Sequence, residues 1–207
     1  MEPNECYNTL MAEKVIAEIC KRNMDGFYCE TKEDALKKVL EMIPKESMVS
    51  CGGSATLNEI GLRAALQNGG YNFLDPNGVQ GGAAKDQIAH QALGADYFLM
   101  GCNAIAATGE LVNIDGYGNR VAALIFGPKN VIVIAGINKV APNLDAAILR
   151  AKTVAAPLTM LIFKKDYSSY DELMLAAECA CSQTVITRFS VTKGRIKVIL
   201  VKERLGF

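Results

Sequence analysis

The chain has 207 residues, half of them hydrophobic and 21% charged, with 22 basic and 22 acidic side chains. That apolar content excludes wholesale disorder, and a formal net charge of zero excludes a dedicated nucleic-acid binder, which needs a positive field to hold a phosphate backbone. The length suits one domain over residues 1–207. The opening MEPNECYNTLMAEK puts acidic residues where a secretory signal needs a basic start, and no apolar run approaches the ~20 residues of a membrane span. A cytoplasmic location without a membrane span is therefore expected. The 7 cysteines, an odd number, sit mostly in apolar or helical segments, as reduced, packed thiols do.

Leu10, Met11, Ile16 and Ile19 form a helical stripe over residues 5–22, and residues 27–29 are a short strand. Thr31 and Asp34 make a capping-box pattern that opens a helix over residues 32–43, stopped by Pro44. A strand over 48–50 leads to Gly52 and Gly53, and Thr56 with Glu59 reads as a second capping box for a helix towards Leu66. The order recurs: strand 71–74, helix 86–93 closed by Gly94, strand 97–100. Two β-branched or apolar runs, 121–126 and 131–135, read as strands joined by a turn at 127–130, and a helix over 143–155 ends before Pro157. Residues 164–183 are polar and then weakly helical, a surface excursion. Period-two alternation over 185–190 and 195–201 around Thr192, Lys193 and Gly194 predicts a C-terminal antiparallel hairpin. Strands alternating with helices predict an α/β fold of three layers, α/β/α, around a mainly parallel sheet.

In such sheets ligands bind beyond the carboxyl ends of the strands. Three small, polar loops lie there: residues 51–56, 101–105 and 136–139. Gly52 and Gly53 allow close backbone approach, while Ser54 and Thr56 before a helix favour a phosphate or carboxylate. The loop lacks both the ending of a P-loop and the spacing of a dinucleotide fold, so a plain strand-to-helix turn capped by Thr56 is an equal alternative. Lys139 supplies a positive charge for the same anion, or is an ordinary solvated lysine. Asn103 and Asn113 could position the ligand, with Thr108 at the edge of the small-residue run 103–109. That run delivers Glu110 to the pocket as acid/base or nucleophile. The competing explanation of residues 108–120 is a hairpin, with Asp115 and Gly116 as its turn.

His90 is the only histidine, which excludes Ser-His-Asp, Cys-His and two-histidine metal sites within one chain. Cys179 and Cys181 are spaced C-x-C, with no nearby pair to complete four thiolates, so no bound metal is expected. Cys51 before a helix is either a low-pKa thiol or a buried structural one.

Residues 50–62 (SCGGSATLNEIGL), 101–105 (GCNAI), 108–116 (TGELVNIDG), 118–122 (GNRVA), 126–129 (FGPK) and the closing KGRIKVILV together resemble the lactate-utilisation (LUD) domain family. The resemblance implies a fold akin to the ribose-5-phosphate isomerase, glucosamine-phosphate isomerase and CoA-transferase group, and a link to oxidation of L-lactate to pyruvate. In that group a glycine loop like Gly52, Gly53 and Ser54 binds phosphate or CoA parts, and an acidic residue transfers protons or attacks. Many short members carry a cysteine-rich stretch before the final hairpin, of which only Cys179 and Cys181 remain here, so no metal or redox role carries over. Two functions follow as expectations. One is an enzyme or subunit acting on a small anionic metabolite, including an isomerase-like or CoA-transferase-like reaction through Glu110. The other is a non-catalytic subunit docking to iron-sulfur or flavin partner proteins of a lactate-oxidising complex. Self-association into a homo-oligomer is expected in either case. No flavin or haem signature is present, so the cofactor is unknown and electron chemistry needs a partner or a diffusible carrier.

Overall fold

Alternation along each central strand sends side chains into two different cores. In β7 (Asn130–Gly136), Val131, Val133 and Ala135 enter one and Ile132 and Ile134 the other. β10 (Ile196–Val201) divides Ile196, Val198 and Leu200 from Ile199 and Val201 in the same way. Strands apolar on both faces need cover on both, which is the condition of a parallel sheet inside an α/β fold. The computed structural model, which describes residues 2–207, has that arrangement. β1 (Asp25–Cys29), β10, β7, β4 (Tyr97–Gly101), β2 (Met48–Cys51) and β3 (Asn72–Leu74) lie side by side in that order, every neighbouring pair parallel.

One face is covered by α1 (Pro3–Lys21) through Val15 and Ile19, with α5 (Gly82–Ala92) and α6 (Asn119–Phe126) contributing Ala92, Ala123 and Leu124. The other is covered by α2 (Lys32–Met42), α3 (Ala55–Glu59) and α4 (Leu62–Asn68) through Val39, Leu57 and Leu66. The expected three layers and mainly parallel sheet are present. A second sheet runs β8 (Val140–Ala141), β5 (Ala104–Ala106), β6 (Leu111–Asp115), β9 (Gln183–Thr187). Its Ile105 and Leu111 join the core under α1, while Ala104, Ala106 and Val112 pack on Ala147 of α7 (Leu144–Arg150) and on Ala151 just after it. After α7, α8 (Ala156–Phe163) and α9 (Tyr170–Ala180) complete the helices.

Five sequence expectations differ from the structure for definable reasons. Antiparallel pairing of the C-terminal region exists, but β9 pairs with β6 in the second sheet while β10 enters the main sheet between β1 and β7. The turn at Gly194 redirects the chain instead of closing a hairpin, because β10 is apolar on both faces and gains more from central burial. Residues 121–126 are helical within α6: Val121 and Leu124 point inward, Ile125 and Phe126 outward, and both Asp115 carboxylate oxygens accept N–H bonds, from Gly118 and Val121, at its start. Thr56 is not a cap; Ser54 is, its Oγ accepting from the Leu57 amide at 3.4 Å. The helix expected to stop before Pro157 continues through a wide π turn at Ala151–Ala155, which absorbs the missing proline N–H. Leu144–Phe163 is thus one 20-residue helix, long and apolar enough by length and composition to cross a membrane, where the sequence was read as having no such run. The Thr31 and Asp34 capping box forms as expected, with the Asp34 amide donating to Thr31 Oγ1 at 3.1 Å.

Candidate functional site

β7, β4 and β2 are neighbours, so the loops at their carboxyl ends meet, as the sequence reading required. They open on a cleft of about 700 Å³. Gly53 and Ser54 come from the first loop, Cys102 and Asn103 from the second, and Lys139 from the 3-10 turn Ile137–Lys139 after β7. The base of the β5–β6 hairpin adds Asp115, and the outer wall is apolar, with Met160 and Phe163 of α8, Ala180 of α9, and Phe207. The cleft is polar around Lys139 and carries an apolar wall at Met160 and Phe163.

Lys139 is the unusual group. It is 3% exposed, and its Nζ makes one hydrogen bond, to Thr56 Oγ1 at 2.8 Å. None of the ion pairs among the described residues includes it. Burial, with a smaller contribution from Arg150 and Arg120, pushes its pKa down to about 8, opposed by Cys102 and Glu59. Two glycines keep space open around the amine. A Cβ at Gly101 would lie 2.6 Å from Ser54 Oγ and 3.8 Å from Lys139 Nζ, and one at Gly206 would lie 3.2 Å from Lys139 Nζ. Gly206 has a φ of 55°, and the C-terminal residues are tied down around the amine: Asn138 Oδ1 accepts from the Leu205 amide at 3.0 Å, and Thr56 Oγ1 donates to the Leu205 carbonyl at 3.4 Å.

Arg120 is largely shielded too, its side chain 13% exposed, but its donors are spent. Nη1 bonds Asn113 Oδ1 at 2.7 Å and the Gly101 carbonyl at 3.4 Å; Nη2 bonds Asn103 Oδ1 at 2.9 Å and the Ile114 carbonyl; Nε lies 3.7 Å from Asp115 Oδ2. It staples the second sheet to the first, and Asp115 balances its charge. Arg150 donates to the Asn103 and Asn138 carbonyls at 2.5 and 3.0 Å, which holds two of the three loops together. Both arginines escaped the sequence reading. A charged residue at the head of the apolar run 119–126, and another inside an alanine-rich helix, were the available signals.

The expected site residues therefore separate. Gly53, Ser54, Asn103 and Lys139 line the cleft. Gly52 and Thr56 lie beneath it, the Gly52 carbonyl accepting from Arg63 Nη2 at 3.1 Å and Thr56 holding Lys139. Asn113 is fully buried behind Arg120, its Oδ1 used and its Nδ2 without a partner. Glu110 and Thr108 are elsewhere. The Glu110 carboxylate pairs with Arg22 Nη2 at 2.5 Å and accepts from Thr108 Oγ1 at 2.5 Å, and neither residue lines the cleft. The expectation that the small-residue run would carry Glu110 across the pocket is corrected. Residues 104–106 form β5 instead, which travels about 3.3 Å per residue away from the cleft, so Glu110 sits at the hairpin's far tip against α1. Cys51 is the buried structural thiol of the two alternatives, pushed up to about 12 by desolvation.

A search of curated proteins finds no match. Among solved structures, the fold is similar to a DUF162 family protein from Deinococcus radiodurans, with a TM-score of 0.58 at 12% identity, covering 94% of this chain and 98% of that one. At that identity the likeness speaks to the fold. The LUD domain family model matches residues 12–201, nearly the whole of the two-sheet architecture and all three cleft loops, and the chain belongs to the LUD domain family.

Proposed function

We propose that the cleft binds a small organic anion, a carboxylate or phosphate metabolite, with its charged head at Lys139 and its carbon body against Met160 and Phe163. The observation that carries this reading is the buried Lys139 with no carboxylate paired to it. Buried charges are ordinarily paired, because desolvating an ion costs far more than one hydrogen bond returns. Arg120 is balanced by Asp115, which leaves Lys139 and Arg150 as excess positive charge at the polar end. The volume lies within the range of about 300–1,000 Å³ usual for small-molecule sites, so a three-carbon acid fills only the polar end and leaves room for a longer body or a second reactant.

The family's association with lactate utilisation makes L-lactate and pyruvate the first ligands to test. Oxidation of lactate here needs an electron acceptor from an iron-sulfur or flavin partner protein, or from a diffusible carrier. Catalysis by Glu110 is not part of this proposal, since that carboxylate serves Arg22. Titration calorimetry with L-lactate, pyruvate and inorganic phosphate is the test. Binding is expected to weaken as pH rises through about 8, because the anion prefers the charged amine and the free site loses its proton there. Unaltered binding to Lys139→Met, or none of the three ligands binding the wild type, overturns the reading.

A further inference from the structure

We infer that Lys139 is a nucleophile as well as a charge: its amine condenses with the carbonyl carbon of a bound oxo acid to form an imine. This deepens the anion-site reading and rests on it. An imine-forming lysine must face a cavity, be free of any ion pair, be held in one orientation, and exist in part as the neutral amine. Lys139 lines the cleft while 3% exposed, and no carboxylate pairs with it. Thr56 fixes its direction. The Thr56 hydroxyl gives its own proton to the Leu205 carbonyl, so its oxygen accepts one N–H from Lys139 and the rest of the amine is left for the cleft. Fixed guanidinium groups at Arg120 and Arg150 discourage a further charge beside them. With a pKa near 8 the amine is neutral about two orders of magnitude more often at neutral pH than a surface lysine.

Lys197 is an internal contrast. It is partly buried as well, but its Nζ bonds the Gly194 carbonyl at 2.5 Å and Asn130 Oδ1 at 3.1 Å, and it does not line the cleft. Burial without a cavity gives a structural lysine.

The step balances without an oxidant or reductant. The amine lone pair forms the C–N bond while the carbonyl π pair moves to oxygen, which takes up a proton. The carbinolamine then expels that oxygen as water and keeps one N–H, so ammonium plus carbonyl compound gives protonated imine plus water. The charge of Arg150, close enough to lower the Lys139 pKa, favours an oxo-acid carboxylate at this end of the cleft. Lactate, with a hydroxyl in place of the carbonyl, binds and forms no bond.

The test is reductive trapping of the full chain with pyruvate and sodium cyanoborohydride, read by intact mass and peptide mapping. The expected result is one pyruvate-derived secondary amine per chain, on Lys139, formed at least about tenfold faster than on any other lysine given its larger neutral fraction. Excess L-lactate should suppress it. Lys139→Arg keeps the positive charge and cannot form an imine, so it should resist trapping. Calorimetric binding of pyruvate without an adduct on Lys139, or labelling spread evenly over surface lysines, overturns the imine and leaves the anion site standing. Absence of binding by any of the anions removes both.

Discussion

Two buried ionic groups divide this molecule. At the hairpin tip, Glu110 has both carboxylate oxygens in use, one on Arg22 and one on Thr108, while Arg22 spends its remaining donors on the Thr108 and Arg188 carbonyls. At the cleft, Lys139 has one bond and no counter-charge. Both are rare residue types to find so deeply buried, and residue type alone would rank Glu110 the better catalyst. Satisfaction reverses the ranking. A fully satisfied polar group has nothing left to offer a ligand and acts as a staple, here joining α1 to the second sheet. A group left short of partners costs stability, which is the usual mark of a site shaped for something that arrives later.

The sharpest way to break this contrast is Glu110→Ala. It leaves Arg22 with an unmatched charge and frees Thr108 and the tip of the β5–β6 hairpin from α1. Removing one partner of a buried pair costs about 3 kcal/mol, somewhat less here because Arg22 keeps partial contact with water. Denaturant unfolding should show that loss, while anion binding to the folded protein stays unchanged. Loss of binding with stability intact would place Glu110 back in the site and dissolve the distinction.

Lys139→Met should do the reverse: binding falls, and stability of the empty protein holds or rises. The pKa of Lys139 is 10.5 in an unfolded chain and about 8 folded, so between those values the unfolded state binds more protons. Stability therefore climbs as pH rises from about 8 to about 10.5 and is penalised most below 8. Across that window the wild type should gain about 3 kcal/mol relative to Lys139→Met, from a shift of about 1.4 kcal/mol per pKa unit. Parallel stability curves for the two proteins would show that Lys139 meets no desolvation cost, and the argument for a waiting anion would go with it.

How much of this could be read in the sequence follows the same division. The three cleft loops and Lys139 were legible because glycine-rich segments after apolar strands are a local pattern, and the parallel sheet then brings them together. Pairing partners were not. Whether residues 195–201 fold back on 185–190 or enter a central sheet depends on which surfaces the rest of the chain leaves uncovered, and no local pattern carries that. Residues 121–126 have strand-like composition, yet Asp115 and the alanines at 122 and 123 start a helix there. Glu110 failed for a similar reason. Its placement depends on residues 104–106 extending as a strand, and a run of small residues is as compatible with a loop. Arg120 was invisible because its role lies in acceptors drawn from positions 101, 103, 113 and 114, which only the folded chain assembles.

The smallest expected effect lies between the two regions, at Ser54. Its Oγ accepts from the Leu57 amide at 3.4 Å, a long cap, and its position beside Gly101 puts the hydroxyl on the cleft wall. The oxygen is thus partly occupied as an acceptor, while its own proton remains available to an anion held at Lys139. Ser54→Ala should lose about 0.5–1 kcal/mol of stability as the cap is removed. It should also weaken anion binding about threefold to tenfold, the value of one hydrogen bond of about 0.5–1.5 kcal/mol. Measured on the same samples, the two losses place Ser54 between staple and binding group. Unchanged affinity would make it a cap alone, on the side of Glu110. A loss as complete as that of Lys139→Met would mean that the loop, and not the lysine charge, carries the binding.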